Sequence, residues 1–167
     1  KDDIEFEEVE RAMIGLGFER KMKLSVWKLL SAILNLGNII FEEDSSIKTA
    51  DACKIQNREQ AKVVADLLQV DQKDLEESLT TRSINTGSWG GRSDISVYLT
   101  VTQAEFARDS LAKALYSNLF DWVVDVINKT IAPSATAPTE MSTGVLDIYG
   151  FEIMETNSFE QFCINFW

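Results

Sequence analysis

The residues best placed to do chemistry lie near the C-terminal end, in "GVLDIYGFE" at 144–152, where Asp147 and Glu152 flank Gly150. An acid at the C-terminal end of a buried strand, followed by a glycine turn, is a recurrent way to hold a metal-bound water beside a nucleotide phosphate. The carboxylate supplies charge to Mg²⁺ directly or through water, and glycine lets a backbone N–H approach an anion that a Cβ would keep away. Glu152 would then serve as an ion-pair partner or proton acceptor. Against this stands plain turn chemistry, for which Asp and Gly suffice between a strand and a helix. No G-x-x-x-x-G-K-[ST] occurs, and "TGSWGGR" has neither the lysine nor a strand-to-helix setting, so these residues do not complete a nucleotide site by themselves. The chain has no histidine, which removes histidine catalysis and Ser-His-Asp schemes.

The elements that must position these groups read as mostly helical. In "FEEVERAMIGLGF", Val9, Met13 and Leu16 share a face, with Gly17 as the C-cap. In "LSVWKLLSAILNLGN" the stripe Val26, Leu29, Leu30, Ile33, Leu34 and Leu36 predicts a helix buried on more than one side and ending at Gly37. "IIFEED" is a strand or extended connector. Asn57-x-x-Gln60 and Asp71-x-x-Asp74 mark further helix starts. "SINTGSWGGRSD" reads as a loop with Trp89, Arg92 and Ser93 at an exposed tip, and "ISVYLTV" as the strand after it, so that the loop joins two strands or strand-like arms. Thr102-x-x-Glu105 predicts a capping box for the longest helix, running to about Asn128 with Leu111, Leu115, Leu119, Trp122 and Val126 on its apolar face. "APSATAPTEMST" is a connector, "GVLDIYGFE" a buried strand turning at Gly150, and Asn157 or Ser158 caps a last helix.

Composition narrows the class. At 167 residues and 45% hydrophobic the chain suits one globular core. Acids outnumber bases 27 to 16, a formal charge of -11, so nucleic acid and anionic membrane are poor partners. Cys53 and Cys163 stand apart and are expected to be reduced core thiols, with no zinc motif. No apolar run approaches the roughly 20 residues that cross a bilayer, and a cytoplasmic setting is expected. The sequon Asn128-Lys129-Thr130 is then a chance match. The start at Lys1 inside an amphipathic pattern and the stop at "CINFW" inside a helix read as cut ends of something larger.

"LDIYGFE" followed by "NSFEQFCIN" resembles the switch II and relay-helix start of myosin motor domains. "ARDSLAKALYSNLFDWVVDVIN" is similar to the long helix that precedes them, and "VYLTVTQAEFARDSLAKALY" is most like the class I, short-tailed myosins. "KLSVWKLLSAILNLGNIIFE" extends the likeness over most of the chain. The resemblance implies an α/β, mostly helical piece of the P-loop NTPase-related motor fold. Residues 1–142 would belong to the helical upper actin-binding subdomain, 143–152 to a central strand and switch II, and 153–167 to the relay start.

The resemblance further implies that Asp147 holds a Mg²⁺-coordinated water and that the Gly150 amide binds the γ-phosphate of ATP. Glu152 would pair with an arginine of switch I, and Phe151 would couple the switch to its neighbours. The helix from Ser158 through Phe159, Phe162 and Ile164 would pass the movement to converter and lever. Actin is the implied partner, with calmodulin or light chains, and membrane or cargo, engaged by segments outside these residues; the setting is the actin cytoskeleton. In the family an actin-contacting loop carries an acidic or phosphorylatable residue sixteen positions before the Asp of D-x-L-A-K, and 109 - 16 = 93, which is Ser93. Phosphate there would add about two negative charges; Arg92 gives slight support for a basic-directed kinase, Ser96 is a rival site, and Trp89 is either an actin contact or a core residue. The alternative reading is a non-enzymatic helical protein-interaction domain, with a motor that binds actin without cycling as a third.

Overall fold

A computed structural model describes residues 1–47, 51–88, 91–132, 143–147 and 150–166. The chain divides into two compact units, 1–132 and 133–167. Trp89 and the connector 133–142 lie outside the described residues.

In the first unit the elements run α1 (Asp2–Gly15), α2 (Arg20–Leu36), β1 (Phe41–Glu43), β2 (Cys53–Ile55), α3 (Arg58–Leu68), α4 (Gln72–Thr80), β3 (Thr81–Ser88), β4 (Gly91–Tyr98) and α5 (Val101–Ile131). Asp2, Asp3 and Glu5 place acids in the first turn of α1, where they meet the positive end of the helix dipole. The C-cap of that helix is Leu16, one residue before the predicted Gly17, whose φ of +78° lies in the left-handed region open to glycine and turns the chain away. The helix α2 is the shared wall of two buried clusters. Its Val26 packs with Met13, Phe18 and Leu119, while Leu36 joins the other cluster with Ile39, Val64, Leu75, Leu79 and Leu99. The predicted burial on several sides therefore holds for both ends of the stripe, although Leu34 faces solvent. Complete burial of Leu36 or Leu79 contributes about 2 to 3 kcal/mol each.

Side-chain amides hold the turns between these elements. Asn57, the N-cap of α3, makes no cap hydrogen bond to its own helix. Its Oδ1 instead accepts from the Ile40 N–H at 2.9 Å and its Nδ2 donates to the Asn38 carbonyl at 2.8 Å. Gln60 donates to the Asn35 carbonyl at 3.0 Å, tying α3 to the end of α2. Asp71 caps α4 in the ordinary way, accepting from the N–H groups of Lys73 and Asp74.

Two expectations are corrected in the hairpin and the helix after it. The stretch read as a loop forms two antiparallel strands, paired from Thr81 opposite Tyr98 to Ser88 opposite Gly91. Glycine and serine content argues for a loop, but ladder pairing satisfies the backbone whatever the side chains. The capping box of α5 is Thr100 with Gln103, two residues before the predicted pair. Leu99 explains the shift: it is buried, donates to the Thr80 carbonyl and accepts from the Cys53 N–H, so the chain is free to turn immediately after it. The helix α5 then runs to Ile131, slightly past the expected end. Arg108 anchors it, donating to the Ile39 carbonyl at 2.9 Å while pairing with Asp109. The Thr130 hydroxyl donates to the Leu16 carbonyl at 3.0 Å, a structural use for the threonine of the sequon.

In the second unit the helix α6 spans Phe159–Phe166. Residues 143–147 are irregular and exposed where a buried strand was expected, since a strand is defined by pairing and no strand pairs with them among the described residues. Cys53 is the buried thiol expected, and burial raises its pKa, but Cys163 is exposed and corrects the reading of two core cysteines. No helix among the described residues is long and apolar enough to cross a membrane.

Candidate functional site

Asp147 sits in the irregular segment 143–147 with its side chain exposed. Three residues on, Gly150 is also exposed, and a Cβ placed on it would meet nothing within 4 Å. Its backbone is therefore open to an approaching group. Its φ is outside the left-handed region, unlike that of Gly17, so what glycine provides at 150 is space rather than a special turn.

Glu152 is the member of the trio that the structure anchors. Its N–H donates to Asn165 Oδ1 at 2.8 Å, and its carbonyl accepts from Asn165 Nδ2 at 2.7 Å. Gln161 Nε2 reaches the same carbonyl at 3.4 Å. Two residues further, Met154 is held in the same manner by Asn157, whose Oδ1 accepts from the Met154 N–H at 3.0 Å and whose Nδ2 donates to the Met154 carbonyl at 2.9 Å. Asn157 is thus engaged with the segment before the helix, and the first helical bond comes from the Phe162 N–H to the Ser158 carbonyl. The Ser158 side chain hydrogen-bonds Glu160 and holds its carboxyl below the usual range.

These groups surround a concavity of about 460 Å³ lined by Phe151, Glu152, Asn157, Gln161, Phe162 and Asn165 among others. Along its helix Phe159, Phe162 and Phe166 stack in sequence, with centroids 6.3 and 6.2 Å apart. The aromatic side chains stay largely exposed, Phe159 at 76%. None of the ion pairs among the described residues involves Asp147 or Glu152. No group of three or more His, Cys, Asp or Glu able to hold a metal ion occurs among the described residues. The arrangement offers one exposed carboxylate, one unobstructed backbone position and one acidic residue whose backbone is clamped.

Sequence reasoning did not single out Asn165 or Gln161. The signal was present, for in the apolar stretch "FEQFCINF" they are polar residues four apart and so share one face of α6.

The hairpin residues fall elsewhere, in the first unit. Ser93 lies on β4 opposite Thr86, and Arg92 opposite Gly87, inside the ladder rather than at a loop tip. The rival Ser96 pairs with Ser83 and is exposed.

Comparison with known proteins agrees with the likeness carried by "LDIYGFE" and "NSFEQFCIN". The family model for the myosin head (motor domain) matches residues 1–167. The chain is 41% identical over 169 aligned positions to the myosin IF heavy chain of Dictyostelium discoideum, covering 99% of this chain and 16% of that protein. It is 44% identical to the myosin IA heavy chain of the same organism, covering 99% and 16%, and 41% identical to the unconventional myosin-Ib of Rattus norvegicus, covering 99% and 14%. The chain thus spans about a sixth of the length of these relatives. By the family match along its whole length, and by its likeness to class I heavy chains, this chain belongs to the myosin motor-domain family.

Proposed function

We propose that these residues form the γ-phosphate-sensing and actin-facing part of an ATP-driven, actin-based motor. The observation that carries the reading is the trio itself: an exposed Asp147, an unobstructed Gly150 backbone and a Glu152 tied to the helix that follows. The donor set fits a Mg²⁺ site of the kind that takes one carboxylate from this segment and its remaining oxygens from water and phosphates. When bound, the ion neutralises charge on the phosphate oxygens. Asp147 would hold that ion through a water. The Gly150 N–H donates to the γ-phosphate when the segment closes, and Glu152 orients the attacking water while paired to an arginine from switch I. Release of the γ-phosphate frees the segment, an order change shared by nucleotide switches. The helix α6 is the start of the relay.

Hydrolysis needs a phosphate loop and a switch I, and no G-x-x-x-x-G-K-[ST] occurs in these 167 residues. The chain alone is therefore expected to be inactive, and the ATPase belongs to a complete motor carrying it. Actin would be met through the first unit, with the β3–β4 hairpin as the contacting element and Ser93 as its regulatory phosphosite. Calmodulin or light chains, and membrane or cargo, would engage other parts of such a motor.

The test is Gly150→Val in the complete motor. A Cβ at this position meets no described atom within 4 Å, so a local clash is not the expected cause of any loss. ATP binding should persist while hydrolysis falls by about 10²-fold or more, because the valine branches keep the phosphate from the N–H at 150, an effect comparable to losing one oxyanion donor. ATPase at the wild-type rate would overturn the assignment. For the hairpin, Ser93→Glu and Ser93→Ala motors should differ in actin-activated ATPase, and equal rates would remove the regulatory role.

A further inference from the structure

We draw no further inference here: the strongest candidate, the apolar groove between α2 and α5 lined by Ile33, Tyr116 and Phe120, carries nothing because nothing in the structure shows what covers it.

Discussion

The two units of this chain hold themselves together by different physics. In the unit 1–132 two clusters of buried apolar side chains fix the helices, and α2 serves both. In the unit 133–167 none of the described residues is buried, and the contacts that give residues 150–166 their shape are amide clasps on the backbone at Glu152 and Met154. Apolar burial is cooperative and costly to disturb, whereas individual hydrogen bonds open to water contribute about 0.5 to 1.5 kcal/mol each. On the proposed phosphate-sensing reading, a segment that changes its hydrogen-bonding partners with nucleotide state is better built the second way. The apolar side chains it leaves exposed, such as Leu146 at 85%, are the surface that other parts of a motor would cover.

The largest effect that can break this comparison is loss of core volume. Leu79→Ala should destabilise the first unit by about 2 to 5 kcal/mol, since its side chain is fully buried between helices. Leu146→Ala in the other unit should change the stability of this chain by less than about 0.5 kcal/mol. Thermal unfolding followed by circular dichroism separates the two cases. Equal losses would mean that the units are not held differently.

Next in size is Gly17→Ala. With φ at +78° an alanine there is strained by about 1 to 2 kcal/mol, although its Cβ would meet only Thr130 at an ordinary 3.7 Å. The same denaturation experiment reads it. A loss under about 0.3 kcal/mol would show that the α1–α2 turn relaxes without cost.

A capping change sharpens the contrast further. Asp71→Ala removes the acceptor for two N–H groups of α4 and should cost about 1 kcal/mol. Asn157→Ala removes an equally bidentate contact from Met154 but should leave the main unfolding transition unmoved, because both lost bonds lie within the second unit. Hydrogen exchange at the Met154 amide is where that loss should appear, as faster exchange.

What the sequence made legible follows the same division. Helical periodicity located α1, α2, α3 and α5, and a capping signal at Asp71 located α4; Val26, Leu36 and Leu119 sit in the buried clusters where the stripes predict. The capping box was misplaced because Thr100-x-x-Gln103 and Thr102-x-x-Glu105 satisfy the same pattern, and only the tertiary bonds of Leu99 decide between them. Two strand-like arms around the loop were legible, but their extent was hidden by the glycines and serines between them, whose pairing depends on register rather than composition. In the second unit, motif resemblance pointed to Asp147, Gly150 and Glu152, but the residue that holds Glu152 was passed over. A polar side chain on a short apolar helix looks like a solvent contact until the backbone it grips is known.

The smallest prediction concerns pH and a polar contact inside the first unit. Glu10 of α1 accepts from Trp27 Nε1 at 2.7 Å and pairs with Lys23, both of α2, with the lysine side chain 13% exposed. The hydrogen bond from Lys23, then that from Trp27, lowers the Glu10 pKa below its ordinary 4.5. A carboxyl whose folded pKa is depressed stabilises the fold above the unfolded value, and that stability is lost as pH falls through the folded one. Lys23→Met should therefore lower the melting temperature at pH 7, and the gap from wild type should close as the pH drops below 4.5. A gap of constant size from pH 7 to pH 3 would assign the loss to the largely buried lysine stem rather than to its charge. That outcome would make even the polar joint between α1 and α2 a matter of burial, widening the difference between a unit built on packing and one built on backbone clasps.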